Sequence, residues 1–326
     1  MKTFHNICIL CGSILLLFLV WKTGLADLWN KLAFLGWGLV PLILIEGVAD
    51  IFHTMGWRYC LSDVHQAMPF ERLFRIRMAG YSVNYLTPTA TLGGEVTKGT
   101  LLSGDRRGIE AATGVIIGKL SFALSQLLFV SCGSLIVLWQ VNLPDGFWPA
   151  MLIGSALLGC GIIGFLLIQK HGQLGILVRW LSVRNIGGKQ LQKLAKHITR
   201  IDNDLKFFYL QRPWDLPISV FWHCIGFGCG LIQTWWFLIF FQTDASFIVA
   251  SGIWLLGSWF DLLTFMVPLG IGVQEGTRII AFNAVGLTSL MGLTYGVMLR
   301  IEQIFWACIG MLCYASLVKT KRKLSV

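Results

Sequence analysis

Apolar runs of about 20 residues recur from one end of this chain to the other, each long enough to cross the hydrocarbon core of a bilayer as a helix. They lie near 6–21, 33–56, 111–138, 149–169, 215–241 and 288–318. Two further stretches, near 78–102 and 248–286, are apolar but broken by proline, glycine and charge. Composition agrees: 13% of the 326 residues are charged, against about 25% in a soluble domain. No stretch is long and polar enough for a separate globular domain. The expectation is one transmembrane domain over residues 1–326, with the first run kept rather than cleaved as a secretory signal. The nine cysteines are scattered, mostly inside apolar runs, and read as reduced thiols. Cys8 and Cys11 form a C-x-x-C within the first run, which reads as helix packing by small residues.

The net charge of +10 is unevenly placed. Segment 170–213 holds nine basic residues, and 57–77 holds Arg58, Arg72, Arg75 and Arg77. Lys98, Arg106 and Arg107 follow the first broken stretch, and the tail carries Lys319, Lys321, Arg322 and Lys323. The intervening loops hold almost no basic residues: Lys22 and Lys31 in the first, and none in the next two, whose charges are Asp145 and Asp244. Basic loops stay in the cytoplasm. All four basic segments share one face only if both broken stretches are re-entrant, entering from opposite sides. The expected fold is therefore an all-α polytopic membrane protein of the inner (plasma) membrane. It has about six full crossings, two re-entrant broken-helix hairpins arranged like an inverted repeat, and both termini cytoplasmic. Trp21, Trp29, Trp57, Trp139, Trp148 and Trp214 fall near the proposed helix ends, as interfacial anchors do.

Within the basic segment, Leu191, Leu194, Ile198, Ile201, Leu205 and Phe208 recur at spacings of three and four between lysines and arginines. This is a basic amphipathic helix over 189–208. Such a helix lies on an anionic inner leaflet or forms a lid on the helix ends, and the two readings are compatible.

The two broken stretches share a pattern. Pro88 is followed seven residues on by Glu95 and then, three further, by Lys98; Pro268 is followed in the same way by Glu275 and Arg278. Glutamate is rare here, with six in the chain. Proline ends or bends a helix, and Gly93, Gly94, Gly270 and Gly272 allow a tight turn. Such backbone is tolerated at membrane depth only inside protein or beside a wet cavity. A Glu and a basic residue at i+3 share one helix face, and charges in hydrocarbon need partners or water. Two oppositely inserted broken helices with a midplane site are a signature of transporters. The alternative is that Glu95–Lys98 and Glu275–Arg278 are local ion pairs that hold the hairpins together.

These residues carry a resemblance. NYLTPTATLGGEVTKGTLL, then PLGIGVQEGTRIIAFNAVGL and LRIEQIFW, resemble the lysylphosphatidylglycerol synthase transmembrane family, also called the flippase-like domain family, over essentially the whole chain. The family's early motif falls on Asn84, Pro88, Gly94, Glu95 and Lys98, where lysine stands for the more usual arginine. Its late motif falls on Pro268, Gly270, Gly272 and Glu275, followed by Arg300. The resemblance implies translocation of a lipid: a phospholipid, an aminoacyl-phospholipid, or a polyprenyl-linked or hopanoid-type lipid. Synthases of the family append a soluble aminoacyl-transferase domain. This chain ends in a short basic tail, so it is not expected to make an aminoacyl lipid itself.

Other intramembrane charges remain. Glu46, Asp50 and His53 share a helix face that either lines the same cavity or pairs with Lys119. Asp261 is placed to serve Arg278 or Arg300, and His223 reads as a hydrogen-bonded core histidine. No H-E-x-x-H, clustered His/Cys or Asp-rich motif and no Walker loop appears, so neither metal nor cofactor is expected. The leading expectation is a lipid flippase or transporter rather than an enzyme. Asn84, Glu95, Lys98, Glu275, Arg278 and Arg300 would converge on the headgroup. The alternatives are a membrane enzyme acting on a lipid-linked substrate, with Glu95 or Glu275 as base, and a scaffold for a lipid-modifying complex. The expected partners are membrane lipids as substrate and anionic inner-leaflet lipids, not nucleic acid. A second copy of the chain or a lipid-biosynthesis protein is left open.

Overall fold

A computed structural model describes residues 2–87, 92–103, 108–137, 147–170, 198–241, 246–264 and 270–324. Pro88, Pro268, Trp139, Asp145, Asp244 and the 170–213 segment from 171 to 197 lie outside the described residues, as do the side chains of Cys8, Cys11 and Trp148. Among the described residues every regular element is a helix: α1 (Lys2–Thr23), α2 (Leu25–Leu35), α3 (Leu39–Tyr59), α4 (Asp63–Gln66), α5 (Phe70–Leu86), α6 (Leu92–Ser103) and α7 (Gly108–Val137). There follow α8 (Phe147–Lys170), α9 (Ile198–Gln211), α10 (Asp215–Phe240), α11 (Phe247–Thr264), α12 (Val273–Ala284) and α13 (Ser289–Leu324). Among the described residues, four stretches are long and apolar enough to cross a membrane: Leu25–Tyr59, Glu110–Leu135, Asp215–Phe240 and Ser289–Lys319.

The bundle is apolar outside and charged inside. Trp37, Leu17 and Leu157 stand at 90%, 69% and 70% exposure, while Asp50, Glu275 and Glu302 are buried. A protein in water shows the reverse; this distribution suits lipid outside and paired charge within. Trp21, Trp29 and Trp214 are exposed, as expected of anchors, but Trp57 is buried in the interior.

Two apolar cores bracket the polar interior. One gathers Leu42 of α3, Phe237 of α10, Leu256 of α11, Phe282 of α12 and Tyr295 of α13. The other gathers Trp57 at the end of α3, Ile76 of α5, Val115 of α7 and Leu205 and Phe208 of α9. Helix α3 runs from the first to the second, and its polar face at Glu46, Asp50 and His53 falls between them. Its most extensive partner is α10, and α5 packs along α13. Of the amphipathic pattern expected over 189–208, the described part is helix α9, which continues to Gln211. Leu205 and Phe208 dock on the bundle while Phe207 and Leu210 stay exposed.

The first broken stretch begins earlier than the apolar pattern suggests. Helix α5 starts at Phe70 after Pro69, so Arg72, Arg75 and Arg77 are helical rather than loop residues. Four charges in its first eight residues mask the helix in any hydropathy reading. Gly93 and Gly94 also depart from the expected turn role, because both lie inside α6. Gly94 instead permits close approach: a Cβ there would collide with the Gly80 carbonyl and the Asn84 side chain of α5. In the second stretch Gly270 and Gly272 do make the turn, with φ of 56° and 74°, in the left-handed region that glycine reaches without strain.

Candidate functional site

Helix α6 begins with unsatisfied backbone donors, as every helix does. One is met from the opposite arm of the hairpin: the Gly94 N–H donates to Asn84 Oδ1 at 2.6 Å. This bond fixes the next turn of α6, where Glu95 forms an ion pair with Lys98 at 2.5 Å, as the i,i+3 spacing predicts. Lys119 of α7 lies 3.8 Å from the same carboxylate. Lys119 therefore serves Glu95, not the acidic face of α3. Both Glu95 and Lys98 are mostly buried, and the Lys98 ammonium lies 5.5 Å from the Trp57 ring centroid.

The second motif is wired differently. Glu275 is the third residue of α12, and its Oε2 accepts from the Gly272 N–H at 2.8 Å, capping the helix. Its Oε1 accepts from Arg300 Nε at 3.0 Å and from Nη2 at 2.9 Å. The ion pair expected between Glu275 and Arg278 is replaced by this contact, in which two guanidinium N–H groups share one carboxylate oxygen through charge-assisted bonds. Arg300 Nη2 also donates to the Gly270 carbonyl at 3.2 Å, and the side chain bonds to Tyr85 of α5. Arg300 thus touches both broken stretches. Arg278 turns to Asp261 of α11 at 2.6 Å, and its Nη1 is buried without a partner among the described residues.

Two cavities adjoin between the apolar cores. One, of about 330 Å³, is lined by Asn84, Tyr85, Glu95, Lys98, Lys119 and His223, among others. The second, of about 300 Å³, is lined by Glu46, Asp50, Asp261, Arg278 and Glu302, with Gln233 and Tyr295. His53, Arg77, Tyr81 and Phe122 line both. The first is weighted towards positive charge, with Arg77, Lys98 and Lys119 against Glu95; the second is weighted towards negative charge. Arg77 joins them through a short ion pair to Asp50. The six residues expected at one site are therefore divided. Asn84, Glu95 and Lys98 line the first cavity and Arg278 the second, while Glu275 and Arg300 line neither and brace the hairpins.

Several lining residues escaped the sequence reading. Arg77 and Tyr81 stand seven and three residues before Asn84, so a helical stripe drawn backwards from the motif finds them. Glu302 lies two residues after Arg300 and is held by Gln233 Nε2 at 2.5 Å, with no periodic signal to mark it. His53 and His223 meet with their Nδ1 atoms 3.0 Å apart. Among the described residues no group of three His, Cys, Asp or Glu side chains is arranged to hold a metal ion.

Long apolar helices with charge enclosed between them define a multi-pass integral membrane protein. The sequence profile described as the lysylphosphatidylglycerol synthase TM region matches residues 7–310, and the chain belongs to that family. It is similar to a UPF0104 membrane protein of Methanocaldococcus jannaschii, 18% identical over 258 residues, covering 76% of this chain and 74% of that protein. A UPF0104 membrane protein of Methanothermobacter thermautotrophicus is 19% identical over 272 residues, covering 81% and 80%. No solved structure matches the chain.

Proposed function

We propose that this protein moves a polar-headed lipid between the two leaflets of the membrane. One observation carries the reading: two adjoining, partly open cavities of opposite charge balance lie within a bundle whose outer surface is apolar. A lipid crossing a bilayer must shelter its headgroup while its chains remain in hydrocarbon, and enclosed charge beside an apolar exterior suits that task. Lys98, Lys119 and Arg77 are the groups for a phosphate. Glu95 holds the two lysines in place. Glu275 and Arg300 act one step removed, by bracing, while Arg278 lines the second cavity.

The topology that goes with this reading has six crossings, with α5–α6 and α11–α12 as re-entrant hairpins and both termini in the cytoplasm of a plasma-membrane protein. Helix lengths support it: at 1.5 Å per residue α5 spans about 26 Å and α6 and α12 about 18 Å each, short of the roughly 30 Å core. The test is translocation of headgroup-labelled phospholipid in liposomes. Lys98→Gln with Lys119→Gln is expected to slow it at least about tenfold, the loss of one charge-assisted bond being worth 1.5–3 kcal/mol. Undiminished transport by a folded double variant overturns the reading, and chemical conversion of the lipid by the purified protein points to an enzyme.

A further inference from the structure

We infer that His53 and His223 form a proton-binding site that fills together with the anionic headgroup, an inference that rests on the transport reading above. The two rings come from the most closely packed pair of helices, α3 and α10, and each sits over a glycine of the other. A Cβ at Gly56 would fall 2.8 Å from His223 Nε2, and one at Gly226 would fall 2.6 Å from His53 Cε1. This reciprocal exchange of bulk for space brings Nδ1 to Nδ1 at 3.0 Å. Both rings are buried, at 6% and 2% exposure. His53 lines both cavities and His223 the more positive one.

A bond between two imidazoles fixes what the pair can hold. One Nδ1 donates its hydrogen and the other accepts with its lone pair. We assign His223 as the donor, which leaves its Nε2 as a bare lone pair, and that atom has no partner among the described residues. A proton from water adds there, forming one N–H bond and breaking none within the protein. The contact becomes a charge-assisted N–H⁺···N bond, stronger than the neutral one. A second proton would set two N–H groups against each other, so the pair holds one.

The surroundings make that proton conditional. Arg77 of α5, Lys98 of α6 and Lys119 of α7 repel it across the shared cavity. Glu95 faces them from α6, and Glu46 and Asp50 lie on the same face of α3 as His53, with Asp50 taken by Arg77. Beyond them in the second cavity stand Tyr81, Asp261, Arg278, Tyr295 and Glu302. An anionic headgroup against the three cations cancels their repulsion, and the proton follows. Coupling is reciprocal, so a proton on the pair tightens the headgroup.

The test is calorimetric titration of the full-length protein with dihexanoyl phosphatidylglycerol, whose phosphodiester does not titrate between pH 5.5 and 8. Paired buffers of different ionisation enthalpy report the protons taken up. Binding is expected to take up a proton, with affinity rising as pH falls, by up to about tenfold per pH unit for a single proton. His53→Asn with His223→Asn should bind the probe without uptake. Should that variant not fold, Gly56→Ala sets a methyl against Nε2 and removes no titratable group; it too should lose the uptake. Binding without proton uptake in the unaltered protein overturns the inference and leaves the transport reading standing. Uptake that persists in folded variants overturns it also. Failure of the probe to bind at any pH overturns both. Sulfate, run in parallel, distinguishes a headgroup site from a general anion site: equal affinity and uptake with sulfate overturns headgroup coupling.

Discussion

Glu275 is 1% exposed, and its carboxylate makes structural contacts: it caps α12 and accepts from Arg300. Glu275→Gln keeps a cap acceptor but leaves a mostly buried guanidinium without its counter-ion. Breaking such a pair from one side costs about 3–5 kcal/mol. The expected outcome is a clear fall in the midpoint of thermal unfolding in detergent, with lost transport as its consequence. An unchanged midpoint would show that Glu275 works on the substrate instead. The sequence placed Glu95 and Glu275 in equivalent roles because their local spacing is the same. It could not show the difference, since the partner of Glu275 lies 25 residues away on another helix. Spacing reports neighbours on one helix, and it was right for Glu95–Lys98 for that reason.

At the scale of elements, glycine shows why a motif is more than a turn. Gly94 and Gly99 both lie within α6, yet a methyl at Gly94 meets the Gly80 carbonyl and Asn84, whereas at Gly99 nothing lies within 4 Å. Gly94→Ala should therefore cost about 1–3 kcal/mol as overpacking between two arms of a hairpin. Gly99→Ala should gain about 0.5–1 kcal/mol by helix propensity. Thermal unfolding of the pair checks the sign; equal shifts would show that the arms are not in contact in the membrane. Long helices such as α3, α7, α10 and α13 were legible from apolar length alone. Helix α5 was not, because basic residues on it are met by tertiary partners: Arg75 by Ser316 and Arg77 by Asp50. Hydropathy counts a charge as exposed whether or not another helix receives it.

For the whole molecule, the basic-residue partition makes a directional claim. In a background lacking native cysteines, single cysteines at positions 145 and 244 are expected to react with a membrane-impermeant reagent from outside the cell, and one at 321 only after the membrane is opened. Labelling at 145 or 244 from the cytoplasmic face alone would invert the assignment. That both ends of the sequence motif belong to one machine was readable from their repetition, but the means of joining them was not. Arg300 supplies it. One guanidinium on α13 holds the Gly270 carbonyl and Glu275 of one hairpin and Tyr85 of the other. It acts as a yoke. While those bonds last, neither hairpin can swing without dragging its counterpart; on the transport reading proposed above, openings towards the two faces of the bilayer would therefore be geared to each other rather than left to coincidence.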